Sequence, residues 1–154
     1  MTGKTYSTEE MLARLISFDT TSRDGNIPLI EFVEDYLDGW GVPHFRVDYE
    51  ANRKTNLFAT IGPAIAGGIV LSGHTDVVPV DGQPWTSNPF ELTARDDRLF
   101  GRGTCDMKGG LAASIIACEA LIESGLPIPG ALEISGTVDE ESGGFAGVGY
   151  LAER

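Results

Sequence analysis

Histidine, cysteine and tryptophan are scarce in this 154-residue sequence, at two each, and positive charge is nearly as thin, with 11 Lys and Arg against 23 Asp and Glu and a formal net charge of −12. The few basic residues are scattered, so the footprint that phosphate backbones require is missing and a nucleic-acid partner is excluded. Cys105 and Cys118 have neither paired-motif spacing nor the density of a disulfide scaffold, which fits free thiols in a reducing compartment. No apolar run approaches the ~20 residues that span a bilayer, so no membrane partner is expected. Met1 to Glu10 lacks the basic start and apolar core of an export signal, which makes a cytoplasmic location the expectation. The Ser nucleophile elbow and the phosphate-binding loop are both missing, and GRGTCD at 101–106 lacks the third glycine of a dinucleotide fingerprint. Repeats, linkers and low-complexity segments are absent too, leaving one globular unit with 42% hydrophobic and 22% charged residues.

What is present reads as alternating helices and strands. Ser7 and Glu10 have capping-box spacing ahead of an apolar stripe at Met11, Leu12, Leu15 and Ile16, which predicts a helix ending near Phe18. A second helix is predicted over 26–40, with Pro28 in its first turn, Ile30, Val33, Leu37 and Trp40 on one face, and Gly41 as its stop. Short strands follow at 44–49, 56–61 and 68–72, the last apolar enough to sit centrally in a sheet. The stretch 90–103 reads as a hairpin turning at Asp96 and Asp97. Leu111, Ile115, Ala117, Cys118, Leu121 and Ile122 predict a further helix, ended by Gly125 and Pro127. A last strand over 131–138 runs into Asp139, Glu140 and Glu141. This order predicts an α/β fold, a layered sheet flanked by helices. Tyr150 to Arg154 reads as the opening of a helix, as though the chain were cut there.

Three segments carry candidate chemistry: SGHTDVVP at 72–79, GRGTCDMKGG at 101–110 and TVDEESGG at 137–144. Strand ends in open α/β sheets are where ligands collect, so these segments could converge on one crevice. Asp76 lies two residues after His74 and on the same side of an extended chain, where it can orient the imidazole of a metal ligand. Alternatively, His74 is a hydrogen-bonded strand-end residue. Asp106 has two oxygens with which to bridge cations, or it is an ordinary helix cap. Glu140 and Glu141 point in different directions, so one can hold metal while the other moves a proton; otherwise they are two solvated loop residues. Cys105 has no histidine partner nearby, and His44 lies upstream of all three segments.

Together, in this order and at these separations, the segments resemble the zinc-dependent deacetylase and exopeptidase family that includes acetylornithine deacetylase, succinyl-diaminopimelate desuccinylase and glutamate-releasing carboxypeptidases. The resemblance implies two zinc ions, with cobalt a possible substitute. It implies His74 as ligand of one, Asp106 bridging both, Glu141 as ligand of the other, Glu140 as general base and Asp76 as the residue orienting His74. It also implies a cis peptide bond after the bridging Asp, here Asp106–Met107.

The activity implied is hydrolysis of an N-acyl amide in a small N-acylated amino acid. The stretches SFDTTSRDGN, LIEFVEDYL and GHTDVVPVDGQPW resemble the acetylornithine deacetylases of arginine biosynthesis, while TVDEESGGFAGVGYLAER is closer to the broader deacetylase and desuccinylase group. Relatives take a further carboxylate and a further histidine from segments beyond the point where this sequence stops, which leaves each metal one ligand short of the usual three. Residues 1–154 are therefore expected to be part of a catalytic domain, inactive by itself, with the dimerisation domain, its homodimer interface and the C-terminal part of the catalytic domain absent. A desuccinylase is one alternative; a non-catalytic fragment that binds a partner along a sheet edge is another.

Overall fold

A computed structural model describes residues 3–49 and 53–154. Its elements, in chain order, are α1 (Thr8–Ile16), α2 (Ile27–Gly39), β1 (His44–Tyr49), β2 (Lys54–Ile61), β3 (Gly68–His74), β4 (Thr93–Arg95), β5 (Arg98–Phe100), α3 (Lys108–Ser124), β6 (Ala131–Thr137), a 3-10 turn (Glu140–Ser142) and α4 (Val148–Ala152). The layered α/β class read from the sequence is the one observed.

The α1 start is the predicted capping box. Ser7 Oγ accepts from the Glu10 amide at 3.1 Å, and Glu10 Oε2 accepts from the Ser7 amide at 2.7 Å. These bonds satisfy backbone donors that a helix end leaves free. Met11, Leu12, Leu15 and Ile16 are buried as the stripe predicts. In α2, Trp40 occupies the cap position after the last turn and is only partly buried, because the helix closes at Gly39. The hairpin forms as β4 and β5, with Asp96 and Asp97 at φ 52° and 58°, the left-handed pair that a two-residue turn requires.

The main sheet has the order β1-β2-β6-β3. β1 and β6 are antiparallel to β2, whereas β3 and β6 run parallel. Parallel neighbours need a long crossover, and here the hairpin and α3 supply it. Leu57, Ala59 and Ile61 of β2 and Ile134 of β6 alternate onto one face, where they share a core with Leu15, Ile30, Leu37 and Ile115 from the three long helices. On the opposite face Phe45 stacks on Phe58 with ring centroids 5.2 Å apart, and Tyr150 of α4 meets Tyr49 edge-on at 5.0 Å.

The position of β3 differs from expectation. The apolar run at 68–72 predicts a central strand, yet β3 lies at the edge and β6 takes the central place. Ile69 and Val70, which point to opposite faces, are 65% and 56% exposed. Apolarity on both faces of a strand reports that both faces suit burial, and carries no information about which neighbours flank it. Among the described residues, no helix is long and apolar enough to cross a membrane.

Candidate metal centre

Because β3 and β6 are parallel and paired from Gly68↔Ala131 to His74↔Thr137, both strands deliver the residues that follow them to the same edge. His74 is the last residue of β3. Its Nδ1–H donates to the Asp76 carbonyl oxygen at 3.0 Å, with Asp76 Oδ1 3.6 Å away. This leaves Nε2 facing outward, 3.0 Å from Asp106 Oδ1 and 3.8 Å from Glu140 Oε2. Ligand atoms of His74, Glu140 and Glu141 all lie within 4.8 Å of one another. Asp106 enters from the turn between β5 and α3, and the Asp106–Met107 bond is cis. Asp106 does not cap α3, since Met107 holds the cap position and no side-chain cap bond forms there. All five residues singled out in the sequence thus meet at one end of the sheet.

Asp76 does more than touch the imidazole. It is 1% exposed. Its Oδ1 accepts from the Glu140 amide and its Oδ2 from the Glu141 amide, each at 3.2 Å, and the Ser22 hydroxyl donates to Oδ2 at 2.9 Å. Burial pushes the Asp76 carboxyl up, but the bonds from His74, Ser22 and the two amides outweigh it and hold the group below the ordinary carboxylate range. The same carboxylate is the main reason that the His74 imidazole is raised to about 9; burial opposes the rise and Asp106 adds to it. Burial and, after it, the Asp106 charge push Glu141 up.

These carboxylates crowd around one imidazole, with the Asp106 and Glu140 side chains 74% and 57% exposed. A field negative enough to keep a proton on His74 well above its usual range is one that a divalent cation would also satisfy, and imidazole with carboxylate is a fitting donor set for zinc or cobalt.

Several residues that shape the site went unread in the sequence. Ser22 sits in a polar loop that joins the site by a parallel bridge at Thr21↔Val77. Lys108 is wholly buried, and its Nζ donates to the carbonyl oxygens of Leu15 and Phe18, fastening the start of α3 to the end of α1. Asn26, the cap residue of α2, makes no capping bond; its side chain pairs with the Thr55 backbone and the Thr75 hydroxyl. The available signal was polar residues amid apolar neighbours, which names no partner. His44 bonds to the Val42 carbonyl and lies beside Glu34, and neither His44 nor Cys105 is among the residues whose ligand atoms converge.

The model of peptidase family M20/M25/M40 matches residues 70–154. A succinyl-diaminopimelate desuccinylase of Gluconacetobacter diazotrophicus is 47% identical over 89 residues, 58% of this chain and 23% of that protein. An acetylornithine deacetylase of Proteus mirabilis is 39% identical over 138 residues, 87% of this chain and 34% of that protein. Among solved structures, human carnosine dipeptidase 1 superposes with a TM-score of 0.81 at 25% identity, over 95% of this chain and 34% of that one. A metallo-carboxypeptidase of Sulfolobus solfataricus superposes at 0.78 and 22% identity, over 90% and 32%. This chain therefore spans about a third or less of the length of the proteins it matches.

Proposed function

The chain belongs to peptidase family M20/M25/M40, and from that premise we propose that it carries part of a metal-dependent active site for hydrolysing an N-acyl amide, with an N-acetylated amino acid such as acetylornithine as substrate. The observation that carries this reading is the meeting of His74, Asp106, Glu140 and Glu141 from three separate segments around one locked carboxylate, Asp76.

Divalent cations would be held by His74, Asp106 and Glu141. Divalent zinc or cobalt in that place supplies Lewis acidity toward the scissile carbonyl and makes water easier to deprotonate. The protein's own part is proton handling and alignment. Asp76 keeps the His74 Nδ1–H bond in place, so that once the imidazole gives up its other proton the lone pair of Nε2 faces Asp106 and Glu140. The exposed Glu140 carboxylate is free to take the proton of the attacking water and return it to the amine as the C–N bond breaks, the to-and-fro role of a general base. Its amide bond to Asp76 fixes where that carboxylate starts from.

The desuccinylase reading has its own support in the 47% identity over 89 residues. Both enzymes would use the same cluster and differ in the pocket for the acyl group. Binding of N-acetylornithine and of N-succinyl-diaminopimelate to the cobalt-loaded chain, followed by its cobalt absorption bands, distinguishes them without requiring turnover. His74→Ala should weaken cobalt binding at least tenfold, whereas Glu140→Gln, which leaves His74, Asp106 and Glu141 in place, should bind cobalt as the wild type does. A wild-type chain that takes up neither metal, or a His74→Ala variant that binds cobalt unchanged, overturns the reading.

A further inference from the structure

We infer that Lys54 and Asn56, on β2, are positioning residues that clamp the Glu140–Glu141 turn in place; this rests on the metal-site reading above and extends it to a strand that contributes no ligand. Successive residues of a strand face opposite ways. On β2 this sends Thr55 toward Asn26 beneath the helices and sends Lys54 and Asn56 to the other face, over which the segment 138–147 folds.

Lys54 Nζ donates to Asp139 Oδ1 at 2.6 Å, and both side chains are largely buried. Asp139 immediately precedes the glutamate pair and has a left-handed backbone, φ 68°, which turns the chain out of β6 and into the 3-10 turn. Its other oxygen, Oδ2, accepts from the Ala146 amide at 3.1 Å, and its carbonyl accepts from the Gly144 and Ser142 amides. Asn56, wholly buried, grips both ends of the same segment: Oδ1 accepts from the Val138 amide at 3.2 Å and Nδ2 donates to the Ala146 carbonyl at 3.0 Å. Gly147 closes the segment against the strand, where an added Cβ would lie 2.0 Å from the Val138 carbonyl oxygen.

The turn is therefore held on two sides. Asp76 takes the Glu140 and Glu141 amides from the β3 side, and Lys54 with Asn56 takes Asp139, Val138 and Ala146 from the β2 side. With the β2 side released, two glutamates on a short turn swing through several ångströms about a single carboxylate. The side chains that must reach a common cation then do so only part of the time.

The test uses the whole chain, wild type against Lys54→Met, Lys54→Arg and Asp139→Asn, read by amide hydrogen exchange without metal and by cobalt absorption titration. In Lys54→Met the amides of Glu140, Glu141 and Ala146 should exchange at least tenfold faster, while Ala59 and Ile134 in the sheet stay within twofold. The cobalt dissociation constant should rise about tenfold or more, and Lys54→Arg should recover most of both. Asp139→Asn should reproduce the loss with the strand cation retained, and it decides the matter if Lys54→Met does not fold. Unchanged exchange at the three amides, or a loss shared equally by the sheet, overturns the clamp. If the wild-type chain binds no cobalt the metal reading fails by itself, and the exchange rates still decide whether the clamp exists.

Discussion

At the scale of single residues, the site is governed by how few groups carry opposing demands. His74 illustrates this. Its imidazole is held up to about 9 by the Asp76 carboxylate, above the 6.5 of an unfolded chain. Below pH 6.5 both folded and unfolded states carry the proton, and the interaction contributes fully to stability. Between 6.5 and 9 only the folded state keeps it, so this contribution falls as pH rises and is gone above about 9. A metal must displace the same proton, so the cobalt affinity should increase with pH between 6 and 8, by up to about tenfold per unit. An affinity flat across that window would show that His74 is not a ligand. Lys108 has the reverse behaviour, since burial holds it down to about 8, below the 10.5 of a free lysine. The cost of keeping it charged is full below pH 8 and fades as pH rises toward 10.5. Lys108→Met should abolish that rise. In urea titrations the variant should therefore lose stability relative to the wild type as pH rises from 8 to 10.5, because the Leu15 and Phe18 carbonyls lack a donor at every pH while relief from the buried charge matters only below that window. His74, Asp76, Asp106, Glu140 and Glu141 stood out in the sequence as candidates because they stand near strand ends, and a role for each came only with the resemblance to a family. Ser22, Lys54, Asn56 and Lys108 did not stand out, because serine, asparagine and lysine have many uses and their partners lie 54 to 93 positions away.

At the scale of elements, local signals were legible and neighbour relations were not. The α1 capping box, the Asp96–Asp97 turn and the Gly125 stop of α3 are each specified within a few residues, and each forms where the sequence places it. The edge position of β3 depends on what pairs with β6, which no local pattern encodes. Ile69 and Val70 show how this can be checked. Both are largely exposed, so Ile69→Lys and Val70→Lys should each move stability by no more than about 0.5 kcal/mol in chemical denaturation. Each should also reduce any self-association measured by sedimentation, since charge on an edge strand discourages edge-to-edge pairing. A loss of several kcal/mol would mean that these side chains are covered in solution.

At the scale of the whole molecule, the acidic excess of 23 against 11 is partly local, with Asp76, Asp106, Glu140 and Glu141 gathered around His74. Neutralising that cluster should stabilise the fold as a whole. A cation that binds only the native state adds about 2.7 kcal/mol at a hundred times its dissociation constant. Zinc or cobalt should therefore raise the melting temperature in calorimetry, EDTA should reverse the rise, and His74→Ala should be insensitive to both. A melting temperature indifferent to metal in the wild type would remove cation binding from the account. The parallel pairing of β3 with β6 adds one more consequence. A slip of a single residue in β3 would turn the His74 side chain to the other face of the sheet, away from the turn that follows β6. The site can thus be assembled only after the sheet has chosen its alignment, so an ion bound there would act as a latch that rewards the correctly threaded chain and leaves misthreaded ones without its help.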